Sequence, residues 1–374
     1  MAGFVDETAG GERAVDLTGR LGAAFGVLDR LVAGPVGGAG LAVAVGGEVV
    51  ADRYAGEASP GVPAGPSTLW PLASISKLYT AAAAMALVER GEITLSTRVG
   101  SVLPGFAGGG RETMTLRHLM THTSGLIYES PRMAELMAAR TSLDAMVDEA
   151  FAGDLLFAPG TSQRYSDLGF AVAGRMLATV AGAPLPELVA SRVLGPGGLG
   201  QTFMPPAREV DDRIAFVAGA FAEGTEGAMY NSVYARDLAH PAFGTVASLR
   251  DLLAFGLLFA PGSPRRLLSR AGTAAMVTDQ TGSDLPGEVI RPATGVIHPW
   301  GVGFMIKGRS GYPELASAGS HGHAGASGCS LWIDPAADIV IAFVSNRHLN
   351  ADPDELFTRL DRVHNTVMAG LTGD

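Results

Sequence analysis

The chain of 374 residues sets Lys+Arg 27 against Asp+Glu 37, a formal net charge of −10, with 47% hydrophobic and 17% charged residues. This length exceeds one ordinary core and this balance belongs to a folded globular protein; disorder is excluded as the main state, and nucleic acid and anionic membranes are poor partners. A single cysteine, Cys329, excludes an internal disulfide and a cysteine zinc cluster, so redox and structural-metal readings fall away; no metal and no cofactor are expected.

The first residues, Met1 to Glu7, are acidic and lack the basic and apolar regions of a secretory leader, which gives a cytoplasmic expectation. Residues 14–32 place Val15, Leu17, Leu21, Phe25, Leu28 and Leu31 at helical spacing, and a Gly/Pro cluster stops them. Residues 41–45 and 48–54 read as strands joined by Gly46-Gly47, because paired glycines tolerate the positive φ of a tight hairpin. Residues 74–90 are rich in Ala and Leu and end at Gly91, a helix with its C-terminal glycine. Residues 104–111 look like a connection, and from there to Asp237 helical patterns outnumber strands. A helix is predicted over 245–259, then strands over 301–307, 329–333 and 339–345, with Asp334-Pro335 turning between the last two. An amphipathic helix over 354–368 closes the chain. The apolar stretches 81–88 and 252–260 fall short of the roughly 18–20 residues that span a bilayer, so no membrane association is expected.

Strands at both ends and helices between them predict an α+β fold, an antiparallel sheet flanked by terminal helices with an inserted α-rich domain. The predicted boundaries are 1–95 with 246–374 for the α/β domain and 96–245 for the α-rich one, with the active site at their interface.

Ser74-Ile75-Ser76-Lys77 sets an ammonium one helical turn from a hydroxyl, close to a helix start whose dipole favours a developing alkoxide. Alone, this spacing is more often a capping serine with a solvated lysine. Further motifs follow in order: Thr115-Leu116-Arg117-His118-Leu119-Met120-Thr121-His122-Thr123-Ser124-Gly125-Leu126, then Tyr165-Ser166-Asp167, then Gly322-His323-Ala324-Gly325, then Ser330-Leu331-Trp332-Ile333-Asp334-Pro335. With them the sequence resembles, from about residue 40 to 346, the serine β-lactamase and penicillin-binding-protein superfamily. Within it the resemblance is to the branch of class C β-lactamases, D-aminopeptidases, family VIII carboxylesterases and related acyltransferases.

The resemblance implies a β-lactamase/transpeptidase-like fold and a nucleophile at Ser74, with Lys77 and Tyr165 as its proton-handling neighbours. It further implies an oxyanion hole from the backbone N–H groups of Ser74 and Ala326, and substrate contacts from Asp167, His323 and Gly325. Lys and Tyr both titrate near ~10 when free, so a base made from either must be shifted downward, and their juxtaposition is expected to do this. Two residues depart from the family pattern. Asp167 stands where the family has Asn, and its charge favours the Lys77 ammonium, which moves the expected base role to Tyr165. His323 stands where β-lactamases and transpeptidases usually carry Lys, which weakens the grip on a substrate carboxylate at neutral pH.

The function expected is a serine hydrolase or acyltransferase that forms an acyl-enzyme from carboxylic esters or related small acyl donors, with an acyl acceptor as second substrate if transfer replaces hydrolysis. The alternatives are a β-lactam or D-amino-acid peptide or amide hydrolase, and a non-catalytic binding module that keeps the fold. Ser320 mimics a lipase elbow but lacks a following helix. His118 and His122 have zinc-ligand spacing without a Glu between them or a third ligand, and read as structural. His321 is expected in a loop near the mouth. Cys329 is expected to be a small buried hydrophobe, close enough to the site to meet acylating reagents.

Overall fold

A computed structural model describes residues 18–219, 229–281, 299–308, 311–351 and 357–373. Helix α1 (Gly22–Val32) buries Ala24, Val27 and Leu28, and the part of its predicted span before residue 18 lies outside the described residues. Strands β1 (Gly38–Val45) and β2 (Glu48–Ser59) pair antiparallel across Gly46 and Gly47, both with positive φ, as a two-glycine hairpin requires. Strands β3 (Val62–Pro63), β7 (Met305–Ile306), β8 (His321–Gly325), β9 (Cys329–Asp334) and β10 (Ile339–Ser345) complete a seven-stranded sheet in the order β3-β2-β1-β10-β9-β8-β7. Every pairing in it is antiparallel, and β1 meets β10 in continuous register from Ala39↔Ser345 to Val45↔Ile339.

The central strands β1, β10 and β9 are buried at nearly every position and mostly apolar because both sheet faces are covered. Leu41, Val43, Trp332, Ile341 and Phe343 point into a core shared with α1 and the last helix, Thr358–Thr372. Ala42, Ala44, Leu331, Ile333, Val340 and Ala342 point the other way, into the larger core. That core contains helix α2 (Ser76–Glu89), buried on nearly every side, as a helix without a polar face must be. Helix α3 (Leu143–Ala152) packs on α4 (Asp167–Ala181), and α4 packs on α2. Helix α5 (Leu249–Leu257) lies on β10, β9 and β1, and Gly256 allows it: a Cβ there would stand 2.7 Å from Leu331 Cδ1 and 2.8 Å from Val340 Cγ1.

Several boundaries differ from the sequence expectation. The strand expected over 301–307 pairs only at Met305–Ile306, and β8 carries no apolar alternation that would announce it. Helix 74–90 begins as a 3-10 turn, Ala73–Ile75. Residues 352–356, in which the last helix was expected to start, lie outside the described residues. A second sheet, β4 (Trp70–Pro71), β6 (Val246–Ala247) and β5 (Thr202–Phe203) in the order β4-β6-β5, ties the segment before Ser74 to two distant parts of the chain. Its two-residue strands are too short to leave a periodic signal. Among the described residues no single helix is long and apolar enough to cross a membrane.

Asn346 joins the sheet's two ends of sequence. Its Oδ1 accepts from Gly38 N at 2.7 Å, and its Nδ2 donates to Glu57 O at 2.9 Å and Ala58 O at 3.1 Å. Asn346→Ala strips these buried backbone groups of their partners and should lower the unfolding free energy in urea by about 2–4 kcal/mol. A change below about 0.5 kcal/mol would show that water replaces the amide at no cost.

Candidate active site

Between Thr68 and Met85 every residue is buried except Ser74. The preceding residue, Ala73, is buried with φ +47, a left-handed conformation that a side-chain-bearing residue adopts only when its surroundings impose it. Those surroundings are identifiable. Leu72 N donates to Thr245 O at 2.9 Å, Thr245 N donates to Ser76 Oγ at 2.9 Å, and the end of β8 closes on the turn. At that point Gly325 has no room for a side chain, since a Cβ would stand 2.2 Å from Leu72 O.

Lys77, one turn on, has no exposed surface. Its Nζ donates to Ser74 Oγ at 3.2 Å and to Ala242 O at 3.2 Å, and meets Asp167 Oδ1 at 2.6 Å. The same nitrogen lies 4.7 Å from the centroid of the Tyr165 ring and 5.6 Å from that of Phe170. Burial lowers the Lys77 pKa below that of a free lysine, and Asp167 opposes part of that shift. Asp167 stands at the start of α4, whose N-cap Ser166 accepts from Gly169 N at 2.9 Å, so the carboxylate occupies the positive end of the helix dipole.

Tyr165 precedes this cap and its phenol is hydrogen-bonded to Ser74. Burial, then the Asp167 charge, raise its pKa well above 10.0, with the Ser74 hydrogen bond opposing. A base-ready phenolate beside Lys77 was the expectation, and the arrangement opposes it. Lys77 lies over the ring face and is occupied by Asp167, and the carboxylate that stabilises an ammonium destabilises a phenolate. Of the two groups, Lys77 has its pKa lowered and Tyr165 has its pKa raised.

On β8, the two-residue period turns His321, His323 and Gly325 to one face, with Gly325 against the Ser74 turn. His323 is buried, its Nδ1 2.6 Å from Ala324 O, its ring 6.1 Å from Tyr165 and 5.5 Å from Trp300. Ala326 follows in the turn to β9 and is the one position from Ser320 to Asp334 that is not buried. Ser74 and Ala326 therefore open to the surface from two otherwise buried segments, while Lys77, Asp167 and His323 lie beneath. A hydroxyl with an amine of lowered pKa at hydrogen-bonding distance, and a phenol beside both, can attack an acyl carbon and pass protons.

The family model described as Beta-lactamase matches residues 27–365. The chain belongs to the β-lactamase family. That family is one of serine hydrolases. Penicillin-binding protein 4 of Amycolatopsis lactamdurans is 29% identical over 289 residues, covering 73% of this chain and 71% of that protein. Esterase EstB of Burkholderia gladioli is 33% identical over 217 residues, 53% of this chain and 54% of that one. Among solved structures, EstCE1, a hydrolase with promiscuous acyltransferase activity, superimposes with a TM-score of 0.79 over 96% of this chain and 100% of its own, at 22% identity.

For this β-lactamase-family chain, Ser74, Lys77, Tyr165, Asp167, His323, Gly325 and Ala326 all gather around one turn. Two expectations, for His321 and for the reactivity of Cys329, are corrected, and those for Ser320 and His118 agree with the structure. His321 lies in a buried strand, its pKa lowered to about 4 by burial, and not in a loop at the mouth. Cys329 has no exposed surface and burial pushes its thiol up to about 11, so it is closed to acylating reagents. Ser320 accepts from Trp332 Nε1 at 2.9 Å and leads into a strand. His118 Nδ1 accepts from Thr115 N at 3.2 Å in a helix cap, and among the described residues no group of side chains could hold a metal ion.

Three contributors escaped sequence reasoning. The Ala242 carbonyl carries no side-chain signal. Trp300 reaches the site from beyond a segment outside the described residues. His122, whose ring centroid is 4.3 Å from that of Tyr165, stood in the Thr115–Leu126 motif and in a zinc-like spacing, neither of which pointed to Tyr165. Gly325→Ala should drive the end of β8 off the Ser74 turn and slow covalent labelling of Ser74 by a fluorophosphonate at least about tenfold. Gly200→Ala, with nothing within 4 Å of the new Cβ, should leave the rate unchanged. Equal rates in the two variants would refute the close packing as a requirement of the site.

Proposed function

We propose that this protein is a Ser-x-x-Lys serine hydrolase or acyltransferase that acts on carboxylic esters and related small acyl donors through an acyl-enzyme on Ser74. The observation that carries this is the contact of a fully buried Lys77 with the Oγ of the one residue left open in its segment. In acylation, Ser74 Oγ bonds to the acyl carbon as its proton passes to neutral Lys77. Backbone N–H groups of Ser74 and Ala326 stabilise the tetrahedral oxyanion. Collapse breaks the bond to the leaving alcohol, which takes a proton from the phenol of Tyr165, and Lys77 restores that phenol. Water or a second alcohol or amine then attacks the acyl-enzyme by the reverse route, and the choice between them sets hydrolysis or transfer.

Substrate charge favours esters. His323 occupies the third-motif position in place of a lysine, removing a permanent cation from the place where a substrate carboxylate would bind. Asp167 and the half-buried Glu129 act on the same volume: burial and then Asp167 raise the Glu129 carboxyl and the Tyr230 phenol, and Asp167 and then burial raise the Tyr128 phenol. A carboxylate-bearing β-lactam or D-amino-acid peptide enters against that field, whereas an uncharged ester does not. Likeness to an esterase supports the same reading; likeness to a penicillin-binding protein keeps β-lactam and D-peptide hydrolysis as the reading to be tested against it.

Intact-mass analysis after a fluorophosphonate should show one adduct, absent in Ser74→Ala. Turnover of p-nitrophenyl butyrate should exceed that of nitrocefin by at least about 10²-fold in kcat/KM, or about 2.7 kcal/mol in the transition state. Undiminished labelling of Ser74→Ala would refute the nucleophile, and nitrocefin turnover equal to or above that of the ester would establish the β-lactamase reading in its place.

A further inference from the structure

His122 takes no part in the chemistry proposed above, yet it is the residue most closely fitted to Tyr165. It follows the short helix Leu116–Met120 with φ +59, in the left-handed region that favours glycine. In that conformation one residue reaches both sides of Tyr165. The His122 carbonyl accepts from Arg164 N at 2.8 Å, and His122 Nδ1 accepts from Ser166 N at 3.1 Å. The two amides flanking Tyr165 are therefore both held by His122.

The ring adds a third constraint. Its centroid lies 4.3 Å from that of Tyr165 at an interplanar angle of 33°, with Trp300 edge-on at 4.4 Å and Phe170 at 5.3 Å behind it. Van der Waals contact of this kind fixes the direction in which the Tyr165 phenol points, and that direction is toward Ser74. Nδ1 can accept a backbone hydrogen bond only without its own proton, so the imidazole must be neutral with its hydrogen on Nε2. Burial, Lys77 and His323 all disfavour a second proton there, holding the pKa well below 6.5.

We propose that His122 is a positioning residue that aims Tyr165 at Ser74, through two hydrogen bonds that bracket Tyr165 in the chain and through the face of its ring. The proposal rests on the reading of Ser74 as nucleophile and Tyr165 as its proton-transfer partner. Because a misaimed phenol impairs proton transfer more than substrate binding, the effect belongs in kcat and not in KM.

The test is a double-mutant cycle between His122→Gly and Tyr165→Phe, read by the fluorophosphonate labelling rate of Ser74, by kcat and KM for p-nitrophenyl butyrate, and by thermal unfolding. His122→Gly keeps the backbone conformation and removes the acceptor and the ring. It should lower kcat and labelling by about 10²-fold with KM within about threefold, and add less than about threefold to the loss in Tyr165→Phe, because it acts through that phenol. His122→Asn tolerates a positive φ and offers Oδ1 in place of Nδ1, so it should recover at least about tenfold of the loss. Should the glycine variant not fold, the same cycle with His122→Asn must still give a loss nested within that of Tyr165→Phe. A folded His122→Gly that labels within about threefold of wild type, or losses that multiply in the double variant, would overturn the proposal. Wild-type protein that takes no label at Ser74 would instead overturn the functional reading on which it stands.

Discussion

Lys77 has no exposed surface, and its ammonium meets Asp167 Oδ1 at 2.6 Å inside the protein. Removing both charges from water is unfavourable, and their mutual attraction offsets it only while neighbouring polar groups complete the arrangement. The molecule supplies those neighbours from distant parts of the chain: the Ser74 hydroxyl, the Ala242 carbonyl and the N-terminus of α4. The pair thereby fixes α2 against α4, and the turn at Ala73 against the segment that ends at Thr245. Breaking either partner leaves an uncompensated buried charge, which makes this pair a structural constraint as much as a chemical one.

Desolvation is also what makes the amine useful. In water a lysine beside a carboxylate would hold its proton more firmly, but here burial outweighs Asp167 and the proton is held less firmly. The tyrosine experiences the same two influences with one sign reversed in consequence, since burial and Asp167 both oppose its phenolate. Two groups that titrate alike in free solution are thus driven apart, the amine toward base and the phenol toward acid.

What the sequence disclosed follows the range of its signals. Gly46-Gly47 announced the hairpin because the turn's φ requirement is local, and the paired burial of β9 and β10 left runs of apolar residues that read as strands. Ser74, Lys77, Tyr165 and His323 were legible because each belongs to a short motif. Strand β8 was not, since His, Gly and Ala line a face that packs against a turn and not against a periodic apolar layer. The roles of Ala242 and of the His122 bracket were beyond reach, because backbone carbonyls and left-handed residues leave no pattern at fixed spacing. The division of roles between Lys77 and Tyr165 has a different origin: a carboxylate placed like Asp167 acts on every titrating group around it, and the sequence does not show which groups those are.

The central claim is that the buried amine of Lys77, tuned by Asp167, takes the proton of Ser74. Its most direct test is the pH dependence of the second-order rate of fluorophosphonate labelling at Ser74, in wild type and in Asp167→Asn. The rate should rise with pH along a limb whose midpoint lies below the ordinary lysine value of 10.5, because burial lowers the Lys77 pKa. Asp167 raises that pKa, so its removal should move the limb to still lower pH. A wild-type limb above 10.5, where a phenol raised like that of Tyr165 would titrate, or a limb that does not move toward acid in Asp167→Asn, would contradict the account.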